Sequence, residues 1–192
     1  MVNLQKGQNI SLEKVAPGLN KLHIGLGWDT NKYEGGNDFD LDAMCFLIGD
    51  DGKIAGGNDK NFVFFNNKKD PSGAVIHSGD NLTGAGEGDD EVINVDLSKI
   101  ADGIEKIVFI AIIFKGEERK QNFGQIMNAY IRVVNQSNDE ELIRYDLSED
   151  YSIETSVEIA ELYKRNGVWK FKAIGGGTKK TLDDIVSEYG IK

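Results

Sequence analysis

Val157-Glu-Ile-Ala-Glu-Leu-Tyr163 and Val168-Trp-Lys-Phe-Lys-Ala-Ile174 stand on either side of the dipeptide Asn166-Gly167. Asn-Gly accepts the positive φ angles of a type I′ turn, whose twist matches that of two paired strands. Apolar and β-branched residues on both sides complete the pattern, so this segment predicts a β-hairpin, the strongest turn signal in the chain. Upstream, Ile104 to Phe114 is rich in Ile, Val and Phe and reads as a buried strand near the centre of a sheet.

Working outward, short strand patterns recur with turn signals between them. Ile10 to Leu12 and Leu22 to Leu26 are separated by Pro17-Gly18, and Asp38 to Ile48 reads as a long strand with Leu41, Ala43, Cys45 and Leu47 facing a core. Asp51-Gly52, the apolar Phe62 to Phe65, Ala74 to His77 and the alternating Val92 to Leu97 continue the series. Tyr130 to Val134 and Leu142 to Leu147 flank a turn over 135–141, whereas Glu117 to Met127 suggests one or two helical turns. Gly175-Gly176-Gly177 reads as a hinge, and Thr181-Leu-Asp-Asp184 as the capping-box start of a short C-terminal helix ending near Tyr189-Gly190. About ten short strands and one helix predict an all-β protein: a two-sheet β-sandwich forming a single domain over residues 1–192.

Composition narrows the function classes. A hydrophobic content of 40% with 28% charged residues fits a folded soluble chain rather than a disordered one. The net charge of −10 without a basic cluster argues against nucleic-acid binding. The apolar run Ile107 to Phe114 is far shorter than the roughly 18 residues of a membrane span, so membrane insertion is not expected. Met1 to Gln8 does not read as a signal peptide, and a single cysteine forbids an internal disulfide, so a cytoplasmic location is expected. Cys45 reads as a small core residue, and His23 and His77 as structural or surface residues rather than zinc ligands. No P-loop, nucleophile elbow, dinucleotide glycine pattern or His-Glu-x-x-His is present, so the chain is not expected to be an enzyme.

The acidity is local. Residues 29–42 carry a net charge of −4 and residues 80–91 of −5, leaving −1 for all the rest. The second stretch, Gly79-Asp-Asn-Leu-Thr-Gly-Ala-Gly-Glu-Gly-Asp-Asp-Glu91, offers carboxylate, amide, hydroxyl and carbonyl oxygens on a glycine-rich loop, the ligand set of a hard cation such as Ca²⁺. In the first, Asp38, Asp40 and Asp42 fall on one face of an extended chain, with Phe39 and Leu41 on the other. Neighbouring carboxylates on that face lie about 7 Å apart and repel by roughly 2 kcal/mol at an effective dielectric of 20. A cation offsets that repulsion; the bland alternative is a hydrated outer face or solvated surface loop. An EF-hand is excluded, because its sixth position would be Ala43 and its twelfth Gly49. The expected ligands are Asp29, Asp38, Asp40, Asp42, Asp80, Asn81, Glu87, Asp89, Asp90 and Glu91, with Thr83 and the carbonyls of Leu82 and Gly86. Ten or more oxygens exceed the roughly 6–8 that one Ca²⁺ takes, so two ions are expected.

These motifs carry a resemblance. Gly25-Leu-Gly-Trp-Asp29, Asp38-Phe-Asp-Leu-Asp42, Phe62-Val-Phe-Phe-Asn-Asn67, His77 to Gly84 with Gly88-Asp-Asp-Glu91, Gln121-Asn-Phe-Gly-Gln125, Ala129-Tyr-Ile-Arg-Val133, and Glu161-Leu-Tyr163 with Asn166 to Phe171 together resemble the TerD family. That family includes tellurium-resistance and general stress proteins and related calcium- or cAMP-binding proteins. The resemblance spans nearly the whole chain. It implies a calcium-binding sandwich with ion sites in the two acidic loops. It also implies a non-enzymatic role in stress or oxyanion resistance, exercised through other Ter-type stress proteins, some of them membrane-bound. The chain departs from the family at Ile113-Phe114-Lys115, where Ile-His-Asp is usual, and in the tail at Thr178-Lys-Lys-Thr181. Other classes that the acidic loops allow are a calcium-dependent membrane-docking module and a divalent-metal-dependent hydrolase.

Overall fold

A computed structural model describes residues 1–29, 39–78, 88–147 and 151–191. In chain order the strands are β1 (Val2–Asn3), β2 (Asn9–Ser11), β3 (Lys21–Gly27), β4 (Leu41–Ile48), β5 (Phe62–Val63), β6 (Val75–His77), β7 (Glu91–Asp96), β8 (Lys106–Ile113), β9 (Tyr130–Asn135), β10 (Glu140–Asp146), β11 (Ser156–Arg165) and β12 (Val168–Thr178). The helices are α1 (Leu12–Val15), α2 (Gly116–Arg119) and α3 (Leu182–Glu188).

The Asn166-Gly167 turn does join β11 to β12, with both residues at positive φ and Arg165 opposite Val168. That hairpin belongs to a sheet of order β2-β12-β11-β8-β4-β5, and the second sheet runs β1-β10-β9-β3-β7-β6. Among the described residues only β1 pairs parallel to its neighbour, and the other strand pairs are antiparallel. Between the sheets lies one apolar core to which β3 contributes Leu22, Ile24 and Leu26, and β4 contributes Leu41, Ala43, Cys45 and Leu47. This is the β-sandwich that strand spacing predicts, with twelve strands among the described residues instead of about ten. The strand that the sequence does not announce is β1, a two-residue piece too short to show a period of two, and β5 keeps only two residues of the Phe62 to Phe65 strand.

Packing refines four local readings, bearing out the helical turns and correcting the Leu12 strand end and the glycine hinge. The opposite face of β4 is covered rather than hydrated: Met44, Phe46 and Ile48 pack with Phe62, Val108, Ile110 and Ile185 of α3 in a second apolar cluster. Leu12 begins a short helix instead of ending a strand. The helical signal over 117–127 resolves into α2 and a 3₁₀ turn at Phe123–Gln125. The three glycines of the supposed hinge lie inside β12. A Cβ on Gly175, at φ +62°, would sit 2.2 Å from the Tyr145 hydroxyl, so the glycine admits an aromatic ring against the sheet rather than a bend. The Thr181 capping box is present as expected, with its hydroxyl accepting the Asp184 N–H and the Asp184 carboxylate accepting the Thr181 N–H.

Candidate functional site

Strand register carries the flanks of both acidic stretches to one end of the sandwich. β3 ends where β7 and β9 begin, with Leu26 opposite Glu91 and Gly27 opposite Tyr130. In the other sheet Leu41, the first residue of β4, lies opposite Ile113, the last of β8. One hydrogen bond joins the two sheets there, and a second ties β3 to β7 within one sheet. The Trp28 indole N–H donates to the Phe39 carbonyl at 3.1 Å, and the Trp28 backbone N–H donates to the Asp90 carboxylate at 2.9 Å. Trp28 and Phe39 are both buried, so the chain leaves and re-enters the core on either side of residues 30–38 at a fixed separation.

The consecutive acids Asp89, Asp90 and Glu91 point three ways, because β7 begins only at Glu91 and the residues before it escape strand alternation. Asp89 lies over the outer face of the β3 sheet. Its carboxylate accepts hydrogen bonds from His23 Nε2 at 2.7 Å, Arg132 Nε at 2.7 Å and the Tyr130 hydroxyl at 3.0 Å. Burial alone would raise the Asp89 pKa, but the bonds from His23, Arg132 and Tyr130 outweigh it and hold the carboxyl below its ordinary value. The Tyr130 phenol, buried beside that negative charge, is pushed up to about 12. Asp90 lies in the opposite regime: burial and the charges of Asp89 and Asp29 raise its carboxyl, and the Trp28 N–H bond only partly compensates. Glu91 turns into the sandwich, where it is 2% exposed and accepts the Ala43 backbone N–H.

In the first stretch, the Asp29 carboxylate accepts a bond from the Asn128 amide at 2.9 Å, and its backbone N–H donates to the Met127 carbonyl at 3.0 Å. Asp40 and Asp42 are each 8% exposed, which excludes the hydrated outer face for both; Arg119 approaches Asp40 at 3.7 Å. Of the expected ligands, Asp38, Asp80, Asn81, Leu82, Thr83, Gly86 and Glu87 lie outside the described residues. Among the described residues, no three His, Cys, Asp or Glu side chains are grouped to hold a metal ion. The sequence reading did not foresee the roles of His23, Tyr130 and Arg132. The available signal was the glycine pair Gly25 and Gly27 in β3, which leaves room on the sheet for foreign side chains.

Comparison with known proteins agrees with the architecture. A family model described as the TerD domain matches residues 1–189. The chain is 54% identical over 191 residues to General stress protein 16U of Bacillus subtilis (strain 168), covering 100% of this chain and 98% of that one. It is 46% identical over 190 residues to Tellurium resistance protein TerD of Alcaligenes sp, covering 99% and 97%. In fold it matches the crystal structure of a homologue of telluride resistance protein (TerD) from Streptomyces coelicolor A3(2). That match has a TM-score of 0.70 at 20% identity, over 86% of this chain and 94% of that one, a likeness of fold alone. The chain therefore belongs to the TerD domain family, the family of tellurium-resistance and general stress proteins.

Proposed function

We propose that this chain is a calcium-binding, non-enzymatic stress-response protein whose two acidic stretches are ordered by two Ca²⁺ ions and then present a docking face to protein partners. One observation carries the reading: the residues flanking 30–38 and 79–87 are tied together at one end of the sandwich through Asp90, Trp28 and Phe39. The acids there also suit a hard cation. Asp90 is raised by burial and by the charges of Asp89 and Asp29, so a cation among them would relieve a repulsion that the fold otherwise carries. The residues that would hold it are Asp29, Asp40, Asp42 and Asp90, completed by Asp38, Asp80, Asn81, Thr83, Glu87 and the carbonyls of Leu82 and Gly86. Asp89 and Glu91, also in the expected set, are left aside because His23, Tyr130 and Arg132 bond the first and the Ala43 N–H the second. Bound calcium would supply positive charge and an ordered loop geometry; partner recognition would then follow from the ordered surface.

Calorimetric titration of Ca²⁺ into EDTA-stripped protein, with Mg²⁺ as control and thermal melts alongside, tests this. Two calcium-selective events are expected. Each independent site should add about 2.7 kcal/mol at a hundredfold excess over Kd. A flat titration would overturn the reading.

A second reading, calcium-dependent docking on anionic lipid, is favoured by Phe114 and Met127. They are 40% and 51% exposed and adjoin this end, where the Phe114 N–H donates to the Asp40 carbonyl and the Met127 carbonyl accepts the Asp29 N–H. Calcium-dependent sedimentation with phosphatidylserine vesicles would favour it over protein docking.

A further inference from the structure

Gly25 and Asp89 make a contact that only glycine allows. A Cβ on Gly25 would lie 2.0 Å from Asp89 Oδ2 and 2.1 Å from its Cγ, so the carboxylate rests directly on the β3 backbone. There it is 3% exposed and held from three directions. His23 reaches it from the same strand, and Arg132 and Tyr130 from β9. The single Tyr130 hydroxyl proton is shared between Asp89 and the Gly88 carbonyl, which lies 2.9 Å away, so one bifurcated bond reaches both sides of that peptide bond. Arg132 is itself held by Glu141 of β10, at 2.9 Å, and the Arg144 guanidinium lies 3.8 Å from the centre of the Tyr130 ring. The network thus spans β3, β9 and β10 and closes on the two residues that immediately follow 79–87.

The geometry points to a positioning role: Asp89 is the anchor of the second acidic stretch, not a ligand within it, and His23, Tyr130 and Arg132 form the clamp that holds it. This rests on the calcium reading above and narrows it. The three clamp bonds occupy three of the roughly four lone-pair directions a carboxylate offers, on the outer face of the sheet. The neighbouring Asp90 is turned instead toward Trp28, at the end of the sandwich. By holding Gly88 and Asp89 on the sheet, the clamp fixes where Asp90 stands, as outer groups around metal sites orient the ligands themselves.

Melts in EDTA and calcium calorimetry on Asp89→Asn, Tyr130→Phe and the double variant test this, because the two roles predict opposite signs. Removing a ligand from a repulsive calcium-free loop would raise the melting temperature. Removing a buried anchor should lower it, by about 5 °C or more for a chain of this size. Tyr130→Phe keeps the ring and deletes only the hydroxyl, so it should fold. It is expected to weaken calcium binding about tenfold, like Asp89→Asn, with the double variant no worse than the stronger single one. A higher melting temperature for Asp89→Asn in EDTA, with an intact Tyr130→Phe affinity, would make Asp89 a ligand and overturn the clamp. A lower melting temperature with unchanged calcium affinity in both variants would leave the network purely structural and overturn the positioning role. A wild-type protein that takes up no calcium would sink the cation reading itself, and the sign of the Asp89→Asn shift in EDTA would still decide whether Asp89 is an anchor.

Discussion

The Glu91 carboxylate of β7 accepts the backbone N–H of Ala43 in β4, one sheet satisfying the edge of the other. β5 pairs with β4 at Cys45 and Phe46, and among the described residues no strand lies beside the same edge of β4 two residues earlier. Side chains take the ladder's place there. Glu91 receives the Ala43 N–H, and His77 of β6 donates Nε2–H to the Ala43 carbonyl at 3.1 Å, with 3.7 Å between the imidazole and the carboxylate. Both side chains are fully buried, which makes the arrangement costly to break.

Glu91→Ala should therefore destabilise the calcium-free protein by about 3 kcal/mol, since it strands a buried backbone N–H, whereas Glu91→Gln keeps an acceptor oxygen and should cost only about 1 kcal/mol. Urea titrations in EDTA would measure both. Equal effects of the two substitutions would show that charge, not the acceptor at Ala43, is what the site requires.

Glu158 of β11 lines a cavity of about 150 Å³ beneath α3, together with Ser156, Lys180, Ile185, Glu188 and Tyr189. Burial raises its carboxyl pKa, and the negative charges of Glu161 and Glu188 add to the rise against the pull of Lys106 and Lys180. The folded state thus binds this proton more tightly than the unfolded chain, where a glutamate titrates near about 4.3. The contribution is fully present below that value and is lost as pH rises through the raised folded value. Glu158→Gln, which copies the protonated form, should melt about 2 °C higher than wild type at pH 7, the gap closing as pH falls. A gap that widened on acidification would refute the assignment.

Cys45 is fully buried, and burial, reinforced by the charge of Asp70, pushes its thiol far above the ordinary cysteine value. The thiolate is the reactive form, so native protein should resist a thiol reagent such as dithionitrobenzoate and react once denatured. Cys45→Ala should cost about 1 kcal/mol and leave tellurite tolerance of an expressing strain unchanged. Lost tolerance in a stably folded variant would point to thiol chemistry.

Tyr189, at the end of α3, stacks on Phe46 with ring centres 4.4 Å apart, and Phe46 stacks in turn on Phe62 at 4.4 Å. The segment is also tied down by Ile54 N–H to the Tyr189 carbonyl at 2.8 Å and Lys53 Nζ to the Glu188 carbonyl at 2.7 Å. Tyr189→Ala should cost about 2 kcal/mol. Truncation after Thr178 should uncover Phe46, Ile48 and Val108 and make the protein bind anilinonaphthalene sulfonate. A truncated chain that stayed dark with the dye and monomeric would show that the α3 cover is dispensable.

Much of this architecture is legible in residue order, and the reason is locality. The Asn166-Gly167 turn, the Thr181 cap and the Leu41, Ala43, Cys45, Leu47 core face each depend on residues a few positions apart, where steric and hydrogen-bond preferences act directly. The concentration of charge in 29–42 and 80–91, and with it the place to look for a site, is likewise a property of the chain alone. What the acids do there is not. Asp89, Asp90 and Glu91 are neighbours in sequence and chemically alike, yet one is clamped by Arg132 on the outer face, one meets Trp28, and one turns inward to Ala43. Their partners lie 43, 62 and 48 residues away, brought near by strand register between β3, β7 and β9 and by the packing of one sheet on the other. No local preference encodes those distances. The chain determines that carboxylates gather at two places; the tertiary fold decides which are spent on holding the sandwich together and which face the end where a cation could sit.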